Sequence, residues 1–117
     1  VLATTTNDHT IETYKKYNQN IISKAPLDSI FDLIYSKGAV KNLKPNPEIH
    51  YKILETLNVK PEECLMVGND VGEDMITEEL GMKVFLMPAD LINKVGKDIS
   101  QYPQGGFAEL MAYVETL

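Results

Sequence analysis

A chain of 117 residues is long enough for one hydrophobic core and too short for several. Its hydrophobic share of 44% and charged share of 24% are those of a globular protein. A net charge of −6 and a pI near 4.8 exclude a general nucleic-acid binder and an adsorber to anionic membrane, both of which need basic surface.

In chain order, "VLATT" (1–5) is β-rich and reads as a strand. "HTIETYKKYNQNII" (9–22) carries Ile11, Tyr14, Tyr17 and Ile21 or Ile22 at helical spacing. "SIFDLIYS" (29–36) reads as a second strand, stopped by Gly38. "KPNPEIHYKILETL" (44–57) is a helix with Asn46 as N-cap, Pro47 in its first turn and Glu48 at the positive end of the dipole. Ile49, Ile53, Leu54 and Leu57 form its apolar face. "CLMV" (64–67) is a continuous apolar run, expected to be buried on both faces of a parallel sheet. "EDMITEEL" (73–80) reads as a helix ended by Gly81, and "KVFLM" (83–87) as the next strand. Residues 88–106 are loop-rich, with a helical turn near Leu91 and a plain turn at "QYPQGG" (101–106). "FAELMAYVETL" (107–117) is a closing helix.

Strands alternating with helices predict an α/β fold with a parallel sheet and right-handed crossovers. In such sheets ligands gather at the carboxyl ends of the strands. There the sequence places Thr4, Thr5 and Thr6, then Lys41 and Lys44, then Gly68, Asn69, Asp70 and Asp74. A hydroxyl, an ammonium and hard oxygen ligands suit a phosphate group with Mg²⁺, which prefers one or two carboxylates completed by water and phosphate.

The series "ATT", "LKPNPEIHYKIL" and "CLMVGNDVGEDM…LGMKVFLM" resembles the haloacid dehalogenase superfamily over nearly the whole chain. The resemblance implies a Rossmann-like core and phosphohydrolase chemistry. Its second motif, a Thr or Ser ending a strand, falls on Thr4, with Thr5 as the alternative register. Its third, a lysine before a helix, falls on Lys44 of the Lys-Pro pair. Its fourth, an acidic pair after strand and glycine, falls on Asn69 and Asp74, with Asp70 between as a further metal ligand. Asn69 stands where the family has its first acid. An amide oxygen ligates Mg²⁺ less strongly than a carboxylate, and Asp70 is placed to compensate.

The first motif, Asp-x-Asp, is absent from these 117 residues. In the family it supplies the aspartate that forms an aspartyl-phosphate and the acid–base residue. Asp28 and Asp32 have neither its spacing nor its position. The family's nucleophile strand is also central to its sheet, so its absence would leave two apolar strand edges unpaired. The expectation is therefore a single core domain over 1–117, the carboxyl-terminal part of a longer protein. Any cap domain would precede Val1. The missing strand would come from an upstream segment or from a partner polypeptide.

Each candidate has a simpler rival. Asp74 also suits a helix N-terminus, Asp70 a helix cap, Asn69 a turn, Lys44 a solvated surface and Thr4 an ordinary strand position. His9 and His50 read as surface histidines, Met82 and Met87 as core fillers, and Cys64 as a buried strand residue that lacks an internal disulfide partner. With no basic segment leading into an apolar one over 1–12, and no run long enough to span a bilayer, the expected location is cytoplasmic. The function expected is Mg²⁺-dependent hydrolysis of small phosphomonoesters by the intact protein. The rival, from a different class, is a non-catalytic module that pairs with another polypeptide.

Overall fold

The computed structural model describes residues 2–3, 34–35 and 48–117. The helix expected over 9–22, and Thr4, Thr5, Lys41 and Lys44, lie outside the described residues. The chain divides into two compact units, Val1–Leu43 and Lys44–Leu117. In the first unit, β1 (Leu2–Ala3) pairs in parallel with β2 (Ile34–Tyr35), Leu2 opposite Ile34 and Ala3 opposite Tyr35. Both fall within segments whose β-rich composition predicted strands.

The second unit opens with α1 (Glu48–Leu57), which buries Ile49, His50 and Leu54. His50 was expected at the surface and is 1% exposed. The reason is helical geometry: position 50 lies four residues before Leu54 and so shares its face. The helix closes on Asn58, whose φ of 53° is left-handed. The Asn58 amide donates to the Glu55 carbonyl and the Val59 amide to the Leu54 carbonyl, each at 3.1 Å. Those two bonds satisfy carbonyls that the helix end would otherwise leave open.

A 3₁₀ turn, Pro61–Glu63, leads to β3 (Leu65–Gly68), which pairs in parallel with β4 (Lys83–Leu86) in register from Leu65 opposite Lys83 to Gly68 opposite Leu86. Leu86 also exchanges backbone hydrogen bonds with the next segment: its amide donates to Pro103 at 2.9 Å and its carbonyl accepts from Gly105 at 3.1 Å. The stretch expected as a plain turn at 101–106 thus adds a short parallel bridge to the far edge of β4. Gly105 has φ of +151°, and a Cβ there would stand 2.6 Å from the Glu109 Cβ. Only glycine meets both conditions.

Side chains alternate faces along these strands. On one face Val84 and Leu86 join Val71, Met75 and Tyr102 in the buried core, with Met66 and Ile99 packed against it. On the other, Phe85 is 2% exposed and meets Tyr113 of α2 (Phe107–Glu115), with ring centroids 5.4 Å apart. The strand buried on both faces is therefore β4. β3, for which that burial was expected, leaves Val67 39% exposed and Leu65 and Met66 half-buried. Its alternation turns Met66 to the core and Val67 to the opposite, less covered face.

The helix expected over 73–80 is a tighter 3₁₀ segment, Met75–Leu80. The cause lies at its start. The Thr77 hydroxyl donates to the Asp74 carbonyl at 2.8 Å and the Thr77 amide donates to the same oxygen at 3.2 Å. A three-residue spacing is thereby favoured over the four of an α-helix. Gly81 ends the segment with φ of 96°, as its position in the sequence implied. Among the described residues no helix is long and apolar enough to cross a membrane.

Candidate functional site

β3 runs out at Gly68, and the chain turns at once through residues 69–74. Three of the five expected site residues, Asn69, Asp70 and Asp74, lie on this turn. Their side chains do different work.

Asp74 is buried, 5% exposed, and its carboxylate folds back under the start of the turn. Its Oδ2 accepts the backbone amides of Asn69 and Asp70, each at 3.2 Å. A Cβ on Gly68 would land inside this carboxylate, so the approach requires glycine at the strand end. Gly68 thus has a steric role that the sequence motif shows only as a recurring letter.

Asp70 acts in the opposite direction along the chain. Its Oδ1 accepts the amides of Gly72 and Glu73 at 2.9 and 3.0 Å, the capping role that was one of its two readings. Its own carbonyl accepts the Asp74 amide at 2.8 Å. None of these bonds uses Asp70 Oδ2.

Asn69 reaches across to the segment that follows β4. Its Nδ2 donates to the Asp90 carbonyl at 2.7 Å. Its backbone carbonyl accepts the Ile92 amide at 2.9 Å, and the Val71 amide donates to the Ile92 carbonyl at 2.9 Å. The Met87 amide donates to the Gly68 carbonyl at 2.9 Å, so the two strand ends are joined from 68 to 71. Asp90 and Ile92 were not singled out from the sequence. The available signal was topological: adjacent parallel strands deliver their following loops side by side.

Among the described residues there is no group of three or more His, Cys, Asp or Glu side chains arranged to hold a metal ion. The donor set on the turn is two carboxylates and one amide, all hard oxygen ligands. It suits a cation that completes its shell with water and phosphate rather than one caged by protein alone. Cys64, half-buried just before β3, donates its thiol to the Lys60 carbonyl at 3.4 Å. Burial pushes its pKa up, and the neighbouring Glu63 and Glu62 add to the shift against the opposing charge of Lys83. A thiol held protonated in this way is a poor nucleophile.

Comparison with known proteins agrees with this architecture. Residues 5–87 match the haloacid dehalogenase-like hydrolase family, a span of more than half of the chain. A pyrophosphatase PpaX of Bacillus cereus (strain B4264) is 50% identical over 57 residues, which cover 49% of this chain and 26% of the relative. The PpaX of Bacillus cereus (strain ATCC 10987 / NRS 248) is 36% identical over 82 residues, 70% of this chain and 35% of the relative. The chain thus spans about a quarter to a third of these curated relatives. A crystal structure of a predicted phosphoglycolate phosphatase from Haemophilus somnus 129PT superposes with a TM-score of 0.63 at 19% identity, covering 85% of this chain and 45% of that one. A HAD-superfamily hydrolase of subfamily IA, variant 1, from Geobacter sulfurreducens PCA does so at 0.58 and 26% identity, over 76% of this chain and 42% of that one. The strand–turn–strand framework, its parallel register and these matches agree: the chain belongs to the haloacid dehalogenase-like hydrolase family.

Proposed function

We propose that this chain carries part of a Mg²⁺-dependent phosphohydrolase site that acts on small phosphorylated compounds. The observation that carries the reading is the turn after β3. There Asp74 braces the backbone from below, while Asp70 keeps one carboxylate oxygen outside its capping bonds. The names of the relatives, pyrophosphatase and phosphoglycolate phosphatase, point to the same substrate class.

In this reading Asn69, Asp70 and Asp74 hold the cation, Thr4 donates a hydrogen bond to a phosphoryl oxygen and Lys44 offsets its charge. Mg²⁺, when bound, supplies positive charge against the transferring group. The attacking aspartate is not furnished by an Asp-x-Asp motif of these 117 residues. It comes from a further segment of the protein or from a partner polypeptide. That same absence favours the second reading, a non-catalytic module of the family.

The test is phosphate release from pyrophosphate and small monoesters by the protein carrying this chain, with and without Mg²⁺. The expected result is Mg²⁺-dependent release that falls about 10²-fold or more in Lys44→Ala and in Asp74→Ala. Release that persists unchanged in both variants overturns the reading. A folded protein inert toward every phosphoester supports the non-catalytic one.

A further inference from the structure

The turn after β3 is tied to the loop after β4 by bonds of two kinds. Two are backbone bonds, between Ile92 and Asn69 and between Val71 and Ile92. The third is the Asn69 side chain, whose Nδ2 donates to the Asp90 carbonyl at 2.7 Å. An amide has two unlike ends: one donates, the other accepts. With Nδ2 committed to Asp90, Oδ1 is the end left without a hydrogen bond on the turn that bears Asp70. A carboxylate at this position would have no donor. It would set a negative oxygen against the Asp90 carbonyl.

We propose that Asn69 is a positioning residue whose side chain locks the loop after β4 onto the turn after β3, so that asparagine is better suited here than the more strongly ligating aspartate. The part of this that concerns the cation rests on the function proposed above; the lock itself does not. Asn69→Asp adds a charge at the turn, and by charge alone would tighten Mg²⁺ binding. The geometry predicts the opposite balance, because the added carboxylate breaks the lock and is repelled from its place.

Two readouts separate the lock from the metal. The first is amide hydrogen exchange at Val71 and Ile92, measured without metal in the wild-type chain, in Asn69→Asp and in Asn69→Ala. Loss of the side-chain bond should speed exchange at both amides by about tenfold in Asn69→Ala and by more in Asn69→Asp. The alanine variant carries the test if the aspartate variant does not fold. The second is calorimetric titration with Mg²⁺ alone, where Asn69→Asp should bind no more tightly than wild type. Unchanged exchange at Val71 and Ile92 in both variants overturns the lock. Tighter Mg²⁺ binding by Asn69→Asp overturns the preference for asparagine. If wild type binds no Mg²⁺ while exchange rises as expected, the lock stands and the proposed metal site fails on its own.

Discussion

At Gly68 a single hydrogen stands where any other residue would place a carbon, and the Asp74 carboxylate occupies the space beyond it. Gly68→Ala should therefore force Asp74 off the amides of Asn69 and Asp70. The expected cost is about 1–3 kcal/mol in urea denaturation, the range for overpacking a well-filled site. A loss below about 0.5 kcal/mol, typical of an unconstrained surface position, would mean that Asp74 moves aside freely. Cys64 offers a second residue-scale check. Its thiol pKa is raised by burial first and then by Glu63 and Glu62. A raised folded pKa contributes stability below the ordinary thiol range that is lost as pH rises through the folded value. Alkylation by iodoacetamide near pH 8 should accordingly be slower in the native chain than in the urea-unfolded chain. Equal rates would show that the thiolate forms as readily in the fold as out of it.

Among the elements, β4 and α2 meet in an aromatic contact. Phe85 and Tyr113 lie 5.4 Å apart at an interplanar angle of 42°, while Phe107 and Met111 of the same helix stay exposed. A double-mutant cycle on Phe85→Leu and Tyr113→Leu should give a coupling of about 0.5–1.5 kcal/mol. Additive losses would place the docking of α2 elsewhere. The segment Met75–Leu80 shows why element type was harder to read than element existence. Its composition suits a helix, and Gly81 ends it as expected. The Thr77 hydroxyl on the Asp74 carbonyl, a bond from a side chain to the backbone three residues earlier, tightens it to 3₁₀. Hydrophobic periodicity does not register such bonds.

For the molecule as a whole, the family match over residues 5–87 and the share of the relatives covered set the frame for function. The phosphate-release assay belongs at this scale, because the proposed chemistry needs an attacking aspartate that no Asp-x-Asp motif of these 117 residues supplies. The acidic balance of 17 Asp and Glu against 11 Lys and Arg also works at this scale. By charge alone it disfavours polyanionic partners, and under the proposed function a cation would be needed to offset the charge of a phosphate.

Much was legible without coordinates. Short apolar runs bounded by glycine and proline marked β3 and β4, helical spacing marked α1 and α2, and alternation implied parallel pairing. The spacing of Gly68, Asn69, Asp70 and Asp74 placed the candidate residues at a strand end. These are local properties, set by backbone sterics and by which side chains repeat on one face. What only the tertiary structure decided is the division of labour on the turn. Asp74 braces from within, Asp70 caps forward, and Asn69 reaches sideways to Asp90. The same holds for the burial of His50 and for the exchange of roles between β3 and β4. The reach of Asn69 to Asp90 and the roles of β3 and β4 depend on which groups from distant positions, such as 69 and 90 or 85 and 113, come to face one another. That is fixed by the packing of one element on another, and no window along the chain contains it.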